Sequence, residues 1–318
     1  MRKITLGRTG IEVTELCFGV LPIGPLQKDV PVEEASDTIA HGLLSGISFI
    51  DTAQMYKTYP HIRLALQKSG ITPVICSKSG ATTYEGMQSA VEEALSELGV
   101  NKLDIFLLHA ARVNDEVLDE RKDALKCLAE YREKGIIKAV GISTHVVEVV
   151  RRAAVHPDID IVFALINEPG KAIIGGNRQE MEEAINTCHA NNKGIMLMKL
   201  LAGGNLVSDY MEAMDYAVKL SAGRFALAIG MLNKQEVDMN VKYMLGEDIT
   251  EELADAKAAD KQFFIAKVVC NGCGHCITMC HSEAILMEED GKAKIDQGKC
   301  LKCGYCVSAC PRFSVRLI

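Results

Sequence analysis

The sequence has no excess of positive charge. Its 35 lysines and arginines face 42 aspartates and glutamates, a formal net charge of -7 with a pI near 5.7. That balance argues against non-specific binding of nucleic acid or of an anionic membrane, both of which reward a basic surface. No apolar run reaches the roughly 18 residues of a spanning helix. The N-terminal stretch "MRKITLGRTGIEV" lacks the apolar core of a secretory signal. Low-complexity tracts are also missing. These absences predict a cytoplasmic protein, bound to neither membrane nor nucleic acid, whose partner is a small molecule or another protein.

What is present suits a buried core: 48% of the 318 residues are hydrophobic and 24% charged. The length exceeds an average domain, although parallel α/β barrels of about 250 residues form one unit. One large domain and one small one is the economical reading. The 12 cysteines are unevenly spread. Those between residues 270 and 310 stand at ligand spacing, which points to metal rather than to a disulfide scaffold. The others, Cys17, Cys76, Cys127 and Cys188, stand alone in apolar or helical surroundings and read as buried, inert thiols.

From residue 15 to 231 short apolar runs alternate with amphipathic segments. The runs are "ELCFGV", "ISFIDT", "PVICSK", "LDIFLLH", "IKAVGIS", "IDIVFALIN", "GIMLMK" and "FALAIGM". Most are nearly continuous in apolar residues, as parallel strands covered on both faces are. Segments such as "TTYEGMQSAVEEALSELG" and "DERKDALKCLAEYREKG" carry apolar residues at helical spacing, with Gly99 and Gly135 as stops. The series predicts a (β/α)8 barrel over residues 1–245, its bottom closed by the hairpin "KITLGRTGIEVT"; a doubly wound open sheet is the alternative. Residues 246–262 read as a polar connecting helix, and 263–318 as a small α+β cysteine domain.

That last domain repeats one spacing, C-x2-C-x2-C-x3-C: Cys270, Cys273, Cys276 and Cys280, then Cys300, Cys303, Cys306 and Cys310. The doubled run resembles the two-cluster bacterial ferredoxin pattern, in which thiolates hold [4Fe–4S] clusters and each fourth cysteine ligates the other cluster. The resemblance implies one cluster on Cys270, Cys273, Cys276 and Cys310, and a second on Cys300, Cys303, Cys306 and Cys280. Zinc is the competing ligand, but three thiolates at two-residue gaps match zinc sites poorly. Gly272, Gly274 and Gly304 allow backbone to approach the sulfurs. His281 stands where the second run has Pro311. The clusters either staple this small domain or relay electrons.

In such barrels the chemistry sits at the C-terminal ends of strands. Those ends carry Asp51 and Tyr56 in "FIDTAQMY", Lys78 in "ICSKSG" and His109 in "IFLLHA". Each alone reads as a boundary residue; together they predict a catalytic constellation. Tyr56 would give a proton to a carbonyl oxygen, Lys78 and Asp51 would lower its pKa, and His109 would orient the carbonyl.

"GRTGIEVTELCFG", "FIDTAQMY", the Lys78 and His109 strand ends, "GIST", and "GGN" after "MKLLA" together resemble the aldo-keto reductase family; with the tail, the whole chain resembles its subgroup carrying a ferredoxin domain. The resemblance implies the tetrad Asp51, Tyr56, Lys78 and His109, and a nicotinamide lying across the barrel mouth. It implies cofactor contacts at Ser143, which would hold the carboxamide, at Thr144 where the family often has asparagine, at Gly203 and Gly230, and at Asn240, which would read the adenine. Gly230 and Glu236 fall where lysine and arginine often meet the 2′-phosphate of NADP. The Glu236 carboxylate would repel that phosphate unless Lys234 or Arg224 compensates, so NADP and NAD both stay open. A flavin is a further candidate, because nicotinamide passes electrons in pairs and each cluster passes one.

The function expected is therefore an iron–sulfur oxidoreductase acting on a small carbonyl, alcohol or related substrate, with a redox protein as a second partner. The alternatives are an electron carrier whose barrel is a docking scaffold, and a reductase fed by ferredoxin through a flavin or without nicotinamide.

Overall fold

A computed structural model describes residues 1–111, 113–258, 262–280, 282–300 and 304–318, without the side chains of residues 257, 258 and 308. His281 and Cys303 lie outside the described residues. Strands β1 (Lys3–Thr5) and β2 (Glu12–Thr14) form the expected antiparallel hairpin. The eight apolar runs become β3 (Leu16–Gly19), β4 (Phe49–Asp51), β5 (Val74–Ser79), β6 (Leu103–Ala110), β7 (Ile137–Thr144), β8 (Ile161–Leu165), β9 (Gly194–Met198) and β10 (Ala226–Gly230). They pair in parallel, in chain order, and β10 returns to β3 to close the barrel. Closure rules out the open sheet.

Two layers of apolar packing explain why the runs are almost continuous. Inside the barrel, Cys17, Phe49, Cys76, Ile105, Ile161 and Met196 pack on Leu6, Ile11 and Val13 of the hairpin segment, which plugs the bottom. Outside, alternate strand residues such as Ile50, Phe106, Val140 and Val162 meet the helix faces. The helix Tyr84–Leu98 starts where the Thr83 hydroxyl accepts the Gly86 N–H and stops where Gly99 turns left-handed at φ +71°, the N-cap and C-cap chemistry the sequence carries. The polar helix expected after the barrel runs Thr250–Ala258, and Leu253 and Ala256 pack on the barrel's outer core.

The remainder is built from two small sheets. Strand β11 (Phe263–Ile265) pairs antiparallel with β14 (Val315–Leu317), and β12 (Ile285–Met287) with β13 (Ala293–Ile295). Short helices His275–Thr278 and Tyr305–Ala309 follow Gly274 and Gly304, at φ +77° and +78°. Among the described residues no helix is long and apolar enough to cross a membrane.

Candidate functional site

Three neighbouring strands bring the polar groups to one rim. Asp51 ends β4, Lys78 and His109 stand near the ends of β5 and β6, and Tyr56 closes the 3-10 turn Gln54–Tyr56. The turn stops because Lys57 is left-handed, φ +55°, which folds Tyr56 back over the mouth. The Lys78 ammonium donates to Asp51 Oδ1 at 2.6 Å and to the Thr52 carbonyl oxygen at 2.7 Å. It lies 4.9 Å from the Tyr56 ring centroid and 5.3 Å from that of Phe163. The His109 ring meets Tyr56 edge-on, centroids 5.9 Å apart. All four residues singled out from the strand ends are thus in one place, and Asp51, Tyr56 and Lys78 are buried.

Burial sets their charge. It pushes the Tyr56 phenol up to about 12, outweighing the ammonium of Lys78, which pulls the other way. The expected downward shift is reversed, because desolvation of a phenolate exceeds the help of a cation already neutralised by Asp51. Burial also opposes the charge of Lys78, yet Asp51, with Tyr56 and Cys76, carries its pKa above the ordinary lysine range. His109 falls to about 3, first through burial and then through Lys78, Arg121 and Lys199. The Arg121 guanidinium is fixed beside it by a 3.1 Å bond to the His109 carbonyl oxygen. At neutral pH the rim therefore holds a phenol, a neutral imidazole and an ammonium–carboxylate pair. A neutral phenol is an acid able to donate, and a neutral imidazole can donate a hydrogen bond without adding charge.

Asp51 and Tyr56 line a cavity of about 160 Å³ together with Phe163, Met198, Lys199, Gly203, Gly230, Asn240, Leu317 and Ile318. Of the residues expected to touch a nicotinamide, Gly203, Gly230 and Asn240 are on its walls. Ser143 and Thr144 are buried at the end of β7 and are not among those walls. The Ser143 hydroxyl donates to the Leu108 carbonyl oxygen at 3.4 Å, and Thr144 Oγ1 accepts the Val146 N–H at 3.1 Å.

The cleft runs from Tyr56 past Lys199 and Gly203 to Glu236, Met239 and Asn240, so one continuous wall joins the acid–base cluster to three of the expected cofactor contacts. The Asn240 amide is anchored, accepting from the Tyr210 hydroxyl at 2.9 Å and donating to the Glu236 carbonyl at 2.6 Å, and keeps one N–H and one oxygen lone pair for a ligand. Glu236 lines the cavity, and its carboxylate accepts the Leu232 N–H at 2.8 Å. Arg224 offers no compensation, since it precedes β10 and bonds the Ser221 and Leu220 carbonyls at the opposite end of that strand.

Lys199 was not singled out from the sequence. It directly follows β9, lines the cavity and holds φ +63°, rare for a residue with a side chain. Its only signal was its position in "MKLLAGG". Leu317 and Ile318 had no signal at all, because they reach the barrel from the other domain.

The cysteine domain brings its thiols together across the two runs. Cys276 is pushed up by burial and then by Cys310, Cys270 and Cys273, which places the fourth cysteine of the second run beside the first three. A second small cavity is lined by Cys280, Cys300 and Cys306 with Phe263, Ile285 and Ile295, and Cys303 lies outside the described residues. Backbone N–H groups of Gly272, Ala284 and Ser314 donate to the sulfurs of Cys270, Cys280 and Cys310 at 3.4, 3.3 and 3.2 Å. Such donors suit thiolates around a cluster. By contrast Cys17, Cys76, Cys127 and Cys188 are all buried in the barrel, as expected.

The closed (β/α)8 barrel thus carries an acid–base cluster on its C-terminal rim and is joined to a small cysteine-rich domain. The aldo/keto reductase family profile matches residues 15–255, and the profile of the 4Fe-4S dicluster domain matches 269–313. The chain belongs to the aldo/keto reductase family. It is similar to glyoxal reductase of Bacillus subtilis (strain 168), 28% identical over 138 residues, 41% of this chain and 48% of that protein. It is also similar to pyridoxal 4-dehydrogenase of Microbacterium luteolum, 23% identical over 262 residues, 66% of this chain and 76% of that one. The match to glyoxal reductase thus spans about half the relative's length. An aldo-keto reductase from Bacillus halodurans, in its holo form, shares the fold at a TM-score of 0.65 and 17% identity, covering 81% of this chain and 96% of that one.

Proposed function

We propose that the barrel interconverts a small carbonyl compound and its alcohol, with Tyr56 as the proton donor to the carbonyl oxygen. The observation that carries this is the buried Lys78–Asp51 pair, 2.6 Å apart, set beneath a phenol at the wall of a small cavity. Reducing C=O to CH–OH puts a hydride on carbon, which a nicotinamide cofactor would supply and whose loss would leave that cofactor oxidised, and a proton on oxygen. The oxygen's proton leaves Tyr56, and the adjacent ammonium favours the phenolate left behind. His109, neutral, orients the oxygen by a hydrogen bond. The names of the relatives, glyoxal reductase and pyridoxal 4-dehydrogenase, support a small carbonyl as the substrate class.

In the same reading, Cys270, Cys273, Cys276 and Cys310 hold one [4Fe–4S] cluster, and Cys280, Cys300, Cys303 and Cys306 a second; the domains divide as 1–245, 246–262 and 263–318. Such clusters supply one-electron chemistry. Because Cys273 is exposed, the first set comes to the surface, and a redox protein is the partner that suits it. Tyr56→Phe tests the proposal: turnover of a panel of small aldehydes falls by about 10²–10⁴-fold, the usual weight of a positioned acid, while the visible absorbance of the clusters is unchanged. Equal turnover in the variant removes Tyr56 from the chemistry. An anaerobic titration with NADH, NADPH and reduced ferredoxin, followed by cluster bleaching, identifies the electron source; bleaching by ferredoxin alone assigns it to the redox partner.

A further inference from the structure

The second cysteine run repeats the first 30 residues on, Cys270 to Cys300 and Cys280 to Cys310. The fourth cysteines of the two runs are held alike by backbone but not by side chains. Each accepts the N–H of the residue four positions on: Ala284 donates to Cys280 Sγ at 3.3 Å and Ser314 to Cys310 Sγ at 3.2 Å. The matched residues then differ. Ala284 ends in a methyl, whereas the Ser314 hydroxyl oxygen stands 2.9 Å from Cys310 Sγ. A thiolate bound to iron carries no proton, so in that contact the hydroxyl is the donor. Ser314 is 2% exposed, which shields the bond from water, and its carbonyl oxygen is pinned by the Ala266 N–H at 2.8 Å. On the first run the hydroxyl near Cys280 belongs to Ser282, which is half-buried and 3.6 Å away.

Reducing a cluster adds negative charge that its sulfurs share. A hydrogen bond aimed at such a sulfur stabilises the reduced form more than the oxidised one, which raises the potential. We propose that the Ser314 hydroxyl makes the cluster on Cys270, Cys273, Cys276 and Cys310 the more easily reduced of the two, so that an electron delivered by a redox protein comes to rest there. Ser314 acts through the Cys310 sulfur and touches no substrate, so it is a positioning residue for the electron. Its place in the fold suits that role. Cys273 of the same set is exposed and open to a donor, while Ser314 leads directly into β14, whose Leu317 lines the cavity of Tyr56 and Asp51. The proposal rests on the two-cluster reading of the cysteines.

The test is an anaerobic redox titration of the purified full chain with dithionite as the reductant, followed by EPR. Wild type is expected to show two separate one-electron steps. Ser314→Ala installs the residue that the first run carries at 284. Its more positive step is expected to fall by about tenfold in reduction constant, about 59 mV for one electron, with the other step unmoved. Ser314→Thr, which keeps a hydroxyl, is expected to keep the wild-type step. Coincident steps in wild type, no shift in Ser314→Ala, a shift of both steps, or an equal fall in Ser314→Thr overturns the proposal. Should Ser314→Ala lose its iron, Ala284→Ser decides: a hydroxyl added at the matched place is expected to raise the more negative step about tenfold, and an unmoved step overturns the proposal. Iron and sulfide counts keep the two readings apart. About eight of each per chain leaves the two clusters standing whatever Ser314 does, whereas a chain without sulfide sinks the cluster reading itself.

Discussion

Lys78 holds together the charge arrangement at the rim. Removing it leaves Asp51 buried without its cation, and breaking one partner out of a buried pair costs about 3–5 kcal/mol. Lys78→Met is therefore expected to lower stability by that order in urea unfolding, with Lys78→Met/Asp51→Leu recovering much of it. His109 carries a pH consequence whose sign follows from its depressed pKa. Its folded value is about 3 and its ordinary value 6.5, so between those limits the unfolded chain binds the extra proton. Its contribution to stability is whole above pH 6.5 and is lost as the pH falls toward 3. A urea series at pH 7, 6 and 5 should show the decline, and His109→Gln should flatten it. Over pH 6 to 8 the catalytic rate should show no inflection from this imidazole, because it is neutral throughout. Tyr56 likewise places no ionisation below about 12.

At the scale of elements, the barrel depends on places where strands approach too closely for any side chain. Gly141, in β7, is the clearest: a Cβ there would lie 2.1 Å from the Ile161 carbonyl oxygen of β8 and 2.8 Å from Leu107 Cδ2. Gly141→Ala should cost about 1–3 kcal/mol through overpacking, read as a lowered denaturant midpoint, and should also perturb Ser143 two residues on. Much at this scale was legible in the residues. The eight runs announced parallel strands because both their faces are covered, and Gly99 and Thr83 marked helix ends by local chemistry alone. The site was legible as far as the strand ends were, which delivered Asp51, Lys78 and His109 with Tyr56 in the next turn. What could not be read is what packing decides. The Tyr56 shift runs opposite to the pairwise expectation because desolvation depends on everything around the ring. The Asn240 amide is anchored by Tyr210 and by the Glu236 carbonyl, and the Tyr210 contact spans 30 residues that no local pattern joins. Arg224 looked near Glu236 along the chain but sits at the far end of β10.

For the whole molecule, the two domains differ in what holds them. The barrel buries a continuous core between strands and helices, whereas the 263–318 unit has short strands of three residues and a core made in part of its own cysteines. A domain of that size draws its stability from its metal. Iron chelation under air should therefore abolish the structure of 263–318 while the barrel still melts cooperatively, which calorimetry would record as one remaining transition. A single transition lost entirely on chelation would mean that the barrel cannot stand without its partner domain.

The wall formed by Leu317 and Ile318 ties the shape of the barrel's cavity to an event outside the barrel. During synthesis every barrel strand is finished before β14 exists, and β14 belongs to the domain whose cysteines would hold the clusters. A cell short of iron would thus make barrels with an unfinished mouth, intact at Tyr56 but open on one side. The range of molecules such barrels accept would report on the supply of iron.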